Sequence, residues 1–194
     1  MKNLFQMLAV ALVLASCNKT ATTDEANADA ATTTEATTET PAVAYVFNEA
    51  DWVETDVSAA NKEYPILVKL PKTAKIGPSD VSPEDLTVTI NEETGLNVST
   101  AFENTIEEAL KRFKAQNTGG TSGSTKMLKE DANGFMYEEL ATEGFNAQYR
   151  FYVIVKAKGE GCYVIHNHAT GAVAGTKEAA EKMYETIRSS AKLK

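Results

Sequence analysis

Both histidines of this 194-residue chain, His166 and His168, follow Cys162 at intervals of four and six residues. Side chains alternate between the faces of a β-strand, so on a strand all three would share one face. Cysteine and histidine are good zinc or copper ligands, and a tight site wants four protein groups, or three and a water. Three ligands on one short strand seldom close a tetrahedron. The expectation is therefore a buried thiol at Cys162, two histidines at a strand end, and no metal. A Cys162–His166 nucleophile pair is not expected either. The base must hydrogen-bond the thiol, whereas strand residues four apart lie roughly 13 Å from each other. Other catalytic patterns fail on spacing. Gly120-Thr121-Ser122-Gly123 does not match the Gly-x-Ser-x-Gly of a nucleophile elbow. Gly119, Gly120 and Gly123 follow a predicted helix and precede a predicted strand, the reverse of a phosphate-binding loop. Glu138 and Glu139 are adjacent on a predicted strand and point to opposite faces, which makes a poor acid–base pair. The residue types predict no catalytic centre, no cofactor and no enzyme.

Cys17 offers a different chemistry. It is preceded by a singly basic head, Met1-Lys2-Asn3, and by an apolar run from Leu4 to Ala15 broken only by Gln6. That run is too short to cross a bilayer, which takes roughly 20 apolar residues, but it fits an export signal. Leu14-Ala15-Ser16-Cys17 resembles the lipobox of bacterial lipoproteins. The resemblance implies cleavage after residue 16 and attachment of diacylglycerol to Cys17, usually with a third acyl chain such as palmitate. Two or more chains anchor a protein stably where one does not. Position 18 is Asn, not the Asp that in enterobacterial lipoproteins favours the inner membrane. The resemblance thus points to the outer membrane of the cell envelope.

Loss of residues 1–16 removes only Lys2 among charged groups, leaving 18 basic against 27 acidic side chains. Such acidity argues against nucleic acid as a partner, since that needs clustered Lys and Arg. With Cys17 lipidated, Cys162 has no cysteine to pair with, so the fold must rest on its hydrophobic core. Residues 17–44 read as the lipidated cysteine and a spacer. Residues 18–44 hold eight alanines, nine threonines and no aromatic residue. They cannot bury enough apolar surface to offset their ordering entropy, and as a coil would span on the order of 30 Å.

Residues 45–194 read as one globular domain. Tyr64-Pro65-Ile66-Leu67-Val68-Lys69-Leu70-Pro71 predicts a strand, and its proline predicts an edge position. Leu86-Thr87-Val88-Thr89-Ile90 alternates as a half-buried strand should. A helix is predicted over 101–116, capped by Thr100 and Glu103 and carrying Phe102, Ile106, Leu110 and Phe113 as its apolar stripe. Its acidic residues lie early and Lys111, Arg112 and Lys114 late, with Gly119 and Gly120 ending it. Strands follow near 125–130 and 134–140, joined by a turn at Asp131-Ala132-Asn133-Gly134. A strand over 147–157 is apolar on both faces and must be central. Lys158-Gly159-Glu160-Gly161 turns into a last strand at Cys162–His166. A closing helix over 177–191 buries Ala180, Met183, Tyr184, Ile187 and Ala191.

This order, with its Tyr-Pro-Ile-Leu-Val-Lys-Leu-Pro strand and closing Glu-Lys-Met-Tyr-Glu-Thr-Ile-Arg-Ser helix, resembles the PsbP-like sandwich, and within it small Bacteroidetes lipoproteins. The resemblance implies an α+β fold, an antiparallel sheet of about six strands sandwiched between α-helices. That family includes photosystem accessory proteins and a Ran-binding protein. It therefore implies a non-enzymatic binding or accessory role toward an envelope protein partner, with no catalytic residues to carry over. The alternative is a carrier that holds a small molecule or metal in a pocket between sheet and helix.

Overall fold

A computed structural model describes residues 45–91, 94–118, 124–141, 146–167 and 176–194. Cys17, the spacer, His168 and Gly119, Gly120 and Gly123 lie outside the described residues. Among the described residues ten strands and two α-helices form in the order β1 (Trp52–Asp56), β2 (Ile66–Pro71), β3 (Lys75–Pro78), β4 (Leu86–Thr89), β5 (Gly95–Ala101), α1 (Ile106–Thr118), β6 (Thr125–Asp131), β7 (Gly134–Glu139), β8 (Gln148–Lys156), β9 (Cys162–Asn167), α2 (Lys177–Ser190) and β10 (Lys192–Leu193). Seven of the strands make an antiparallel sheet in the order β3-β4-β5-β9-β8-β7-β6. The other three make a small antiparallel sheet, β1-β2-β10.

Alternation along β8 decides the layering. Phe151 and Val153 pack with Met183, Tyr184 and Ile187 of α2 and with Trp52, Ile66, Val68 and Leu70 of the small sheet. Ile154, one residue out of phase, packs with Ala109 and Leu110 of α1. The large sheet therefore has α1 on one face, and α2 with the small sheet on the other. The fold is α+β. Its main sheet has seven strands, and the small sheet occupies ground that the sequence assigned to helix alone.

Two predicted elements need correction. The Tyr64–Pro71 strand is the middle of its sheet, not an edge: β2 pairs with β1 on one side and β10 on the other. Its prolines are tolerated because Pro65 precedes the strand and Pro71 ends it, where a missing N–H breaks no interior rung. The predicted 101–116 helix begins instead at Ile106. Thr100 is held in β5 opposite Tyr163, and Phe102 stands 93% exposed on the connection. Thr-x-x-Glu occurs twice here, and the second copy is the cap: the Glu108 amide donates to Thr105 Oγ1 at 3.1 Å. The first copy loses because Leu96 and Val98 bury themselves fully in β5, which outweighs a local cap. Since α1 runs on to Thr118, Lys111, Arg112 and Lys114 fall in its middle, and its last turn carries no basic residue.

Elsewhere the predicted elements hold, with boundaries within about two residues. α2 spans Lys177–Ser190, capped by Thr176, whose hydroxyl accepts from the Ala179 amide at 3.1 Å. Its stripe of Ala180, Met183, Tyr184 and Ile187 is completely buried, whereas Ala191, expected in that stripe, is the C-cap and only half-buried. The β6–β7 turn fastens this helix to the sheet, because the Tyr184 hydroxyl donates to Asp131 Oδ2 at 2.8 Å. Burial, reinforced by Asp131, pushes this phenol far above its ordinary value. Gly134 makes the approach possible. A β-carbon there would stand 2.7 Å from the Tyr152 carbonyl oxygen and 3.0 Å from the Tyr184 ring.

The stripe makes α2 a core layer, so truncation within it should be costly. We expect Ile187→Ala to lower stability by about 2–5 kcal/mol and Ile187→Asp to lower it further by forcing a carboxylate into the core. Glu185→Ala, which loses only a half-exposed pair with Lys129, should cost less than about 1 kcal/mol. Chemical denaturation of the three variants checks this, and parent-like stability of Ile187→Asp would contradict the layering.

Candidate functional site

The register of four strand pairings builds a row of side chains across the α1 face of the large sheet. Phe135 on β7 stands opposite Tyr152 on β8, Tyr152 opposite His166 on β9, His166 opposite Asn97 on β5, and Asn97 opposite Thr87 on β4. The three rings stack along the row, at 5.1 Å and 9° for Phe135–Tyr152 and at 5.0 Å and 13° for Tyr152–His166. Helix α1 covers the start of the row. Its Phe113 stacks on Tyr152 at 5.3 Å, and Asn117, one turn later, accepts from the Tyr152 hydroxyl at 3.1 Å. Asn117 Nδ2 donates to the Phe113 carbonyl at 2.7 Å, which fixes its oxygen as the atom facing Tyr152. Past Asn117 the row continues, and there Thr87 Oγ1 donates to Asn97 Oδ1 at 3.3 Å.

Two further rows lie nearer the sheet end, the first with Tyr137 opposite Arg150 and the second with Glu139 opposite Gln148. Arg150 donates from Nε to Glu139 Oε2 at 3.2 Å and from Nη2 to Gln148 Oε1 at 2.5 Å. The Arg150 side chain is largely buried, at 13% exposure, while that of Glu139 keeps 39%. Burial pushes the Tyr137 and Tyr152 phenols above their ordinary value, so both remain protonated donors at neutral pH. Together the rows and the last turn of α1 enclose a half-open recess of about 220 Å³. Asn167 ties down its floor at the sheet end. Its side chain accepts from the Phe151 amide at 2.9 Å and donates to the Tyr149 carbonyl at 2.7 Å.

Cys162 and His166 do share a face, as their spacing predicted, but the fold separates their surroundings. Cys162 is buried against α1, where its thiol donates to the Glu103 carbonyl at 3.3 Å. Burial pushes this thiol upward and away from the reactive thiolate. His166 lies at the recess with its ring on Tyr152. Glu138 and Glu139 point to opposite faces as expected, and only Glu139 reaches the recess. No group of three His, Cys, Asp or Glu side chains among the described residues is placed to hold a metal ion. None of their helices is long and apolar enough to cross a membrane.

Sequence reasoning singled out His166 but missed Asn97, Asn117, Tyr137, Arg150 and Tyr152 as members of one site. Part of the signal was present, since Tyr137 and Glu139 alternate on one predicted strand and Arg150 and Tyr152 on the next. Asn97 has no such signal, because no strand is predicted over β5. Two larger open grooves, about 680 and 440 Å³, flank the β6–β7 turn. Their charges pair across them, Lys114 with Glu130 and Lys129 with Glu185, as on an ordinary solvated surface. No family model, curated protein or solved structure matches this chain.

The packing around Cys162 predicts an inert thiol. In the native chain it should react with an aromatic disulfide reagent at least about ten-fold more slowly than in denaturant. The same preparation should hold well under one equivalent of zinc or copper after mild chelation. Stoichiometric metal that is lost on His166→Ala would contradict this assignment.

Proposed function

We propose that this chain is an envelope lipoprotein, anchored through acyl groups on Cys17 in the outer membrane, whose PsbP-like sandwich domain is a non-enzymatic binding module for a protein partner. The recess beside the end of α1 carries the proposal. Its polar groups are held by one another in a fixed arrangement, which suits recognition. Its volume of about 220 Å³ falls short of the roughly 300–1,000 Å³ typical of small-molecule sites. A cavity of that size takes one side chain of a larger partner more readily than a whole cofactor, which weighs against a carrier. The fold assignment draws on an antiparallel sheet with a helix on each face, although the strand count exceeds the six expected. The anchor draws on the head, apolar run and lipobox of residues 1–17.

The experiment places a photoreactive amino acid at Asn97, on the recess, or at Lys111, on the outer side of α1, in the lipidated chain in its own cells. Illumination should give one protein adduct of defined mass from position 97, none from 111, and a loss of the adduct on Arg150→Ala. Equal adducts from both positions, or none, would sink the binding-module proposal. In the same cells Cys17→Ser should end fatty-acid labelling and release the chain from membranes; continued labelling would refute the anchor.

A further inference from the structure

We propose that Phe102 is the centre of a contact between two copies of this chain, related by a two-fold axis. The contact is independent of the recess and rests on the Cys17 anchor only for the confinement argued below. Phe102 lies on the connection from β5 to α1 and is 93% exposed. Its neighbours on both sides are fixed. Ala101 is buried in β5 opposite Cys162. The Glu103 carbonyl accepts from the Cys162 thiol at 3.3 Å, and the Glu103 carboxylate pairs with Arg112. Asn104 Oδ1 accepts from the Gly161 amide at 3.3 Å, and Thr105 caps α1. Gly161, at φ +81°, lets the β8–β9 turn close on the Ala101 carbonyl oxygen, from which a β-carbon would stand only 2.6 Å. A large ring held outward in this way needs little further ordering to bind, which is the property of an interface anchor.

Charge selects the occupant. From Cys17 onward the chain carries 27 acidic against 18 basic side chains, so two copies repel one another over an acidic surface. The two segments around Phe102 are balanced instead: residues 102–112 and 156–162 hold four acidic and four basic side chains. A two-fold contact must also be complementary to itself. On the β8–β9 turn Lys158 and Glu160 are exposed, opposite in charge, and in no ion pair among the described residues. Turned about an axis at Phe102, Lys158 of each copy faces Glu160 of the other, with the two rings between them. The acidic β3–β4 turn, with Asp80 and Glu84, lies at the same end of the sheet but three strand spacings away. That is roughly 14 Å, beyond the screening length of about 8 Å. A bilayer is the poorer occupant, because the charged side chains around the ring would have to leave water with it. One Phe contributes roughly 150–250 Å², well short of the roughly 800 Å² that each partner gives a standard interface. The contact is therefore weak between free chains. Copies anchored to one membrane meet at a raised effective concentration, which populates it.

The test replaces Phe102 by the photoreactive aromatic p-benzoylphenylalanine in the lipidated chain in its own cells. Illumination should give an adduct of twice the chain's mass. Lys158→Glu and Glu160→Lys, both at exposed positions, should each lower its yield at least about five-fold by setting like charges face to face. Co-expression of the two variants, distinguished by tags of different size, should restore the yield as a mixed adduct. An adduct to another protein or to lipid alone overturns the proposal, as does no adduct or a mixed pair that fails to recover. Fatty-acid labelling and the adduct at position 97 report on the anchor and the recess separately, so failure of either is told apart from failure of this contact.

Discussion

The burial of β8 and β9 on both faces is the constraint from which the rest of the structure follows. Phe151, Val153, Ile154, Val164 and Ile165 are essentially inaccessible, and they alternate between the two sides of the sheet. A strand with one polar face can leave that face to water, but these two cannot. Each side therefore needs its own apolar layer. α1 provides one with Ala109 and Leu110, and α2 provides the other with Met183, Tyr184 and Ile187, completed by the inner face of the small sheet. The small sheet in turn depends on α2 and the chain end. The Lys69 amide donates to Ser190 Oγ at 2.9 Å, and the Lys194 amide donates to the Pro65 carbonyl at 2.8 Å.

The recess arises because the two layers differ in extent. On the α2 side the small sheet carries the cover across β5 and β4, whose Leu96 and Val88 are wholly buried. On the α1 side the cover among the described residues is one helix of 13 residues. The row from Phe135 to Thr87 begins as core under that helix and ends as a polar, partly exposed surface. Tyr152 sits at the change, with its ring inside the stack and its hydroxyl at Asn117. The buried rings hold the side chains of the recess in place, so the same packing that stabilises the fold orders the polar groups.

How much of this could be seen in the residues depended on how strongly each segment is constrained by its own pattern. β8, β9 and α2 were legible because their apolar runs have the length and spacing of a strand or a helix and are buried, and β7 because the turn at Asp131–Gly134 opens it. α1 was legible in its body and misplaced at its start. Thr100-x-x-Glu103 and Thr105-x-x-Glu108 are equivalent as local signals, and only the pairing of β5 with β9 chooses between them. The small sheet was half visible: β2 has a strand pattern, whereas β10 is two residues long and exists only because β2 is there to receive it. The site was less legible than the fold. Its members come from β5, α1, β7, β8 and β9, and no short motif spans them. Their meeting is a product of register, which is a tertiary property.

The central claim is that the doubly covered pair β8–β9 is the last part of the molecule to open, and that the layers over it open earlier. Native-state amide hydrogen exchange of the mature chain tests this most directly. The amides of Phe151, Val153, Ile154, Val164 and Ile165 should exchange only through global unfolding, with free energies equal to that from denaturant titration. Those of β1 and β10 should exchange through smaller openings, at lower free energies. Protection in β1 and β10 equal to the global value, with β8 and β9 exchanging below it, would contradict the account.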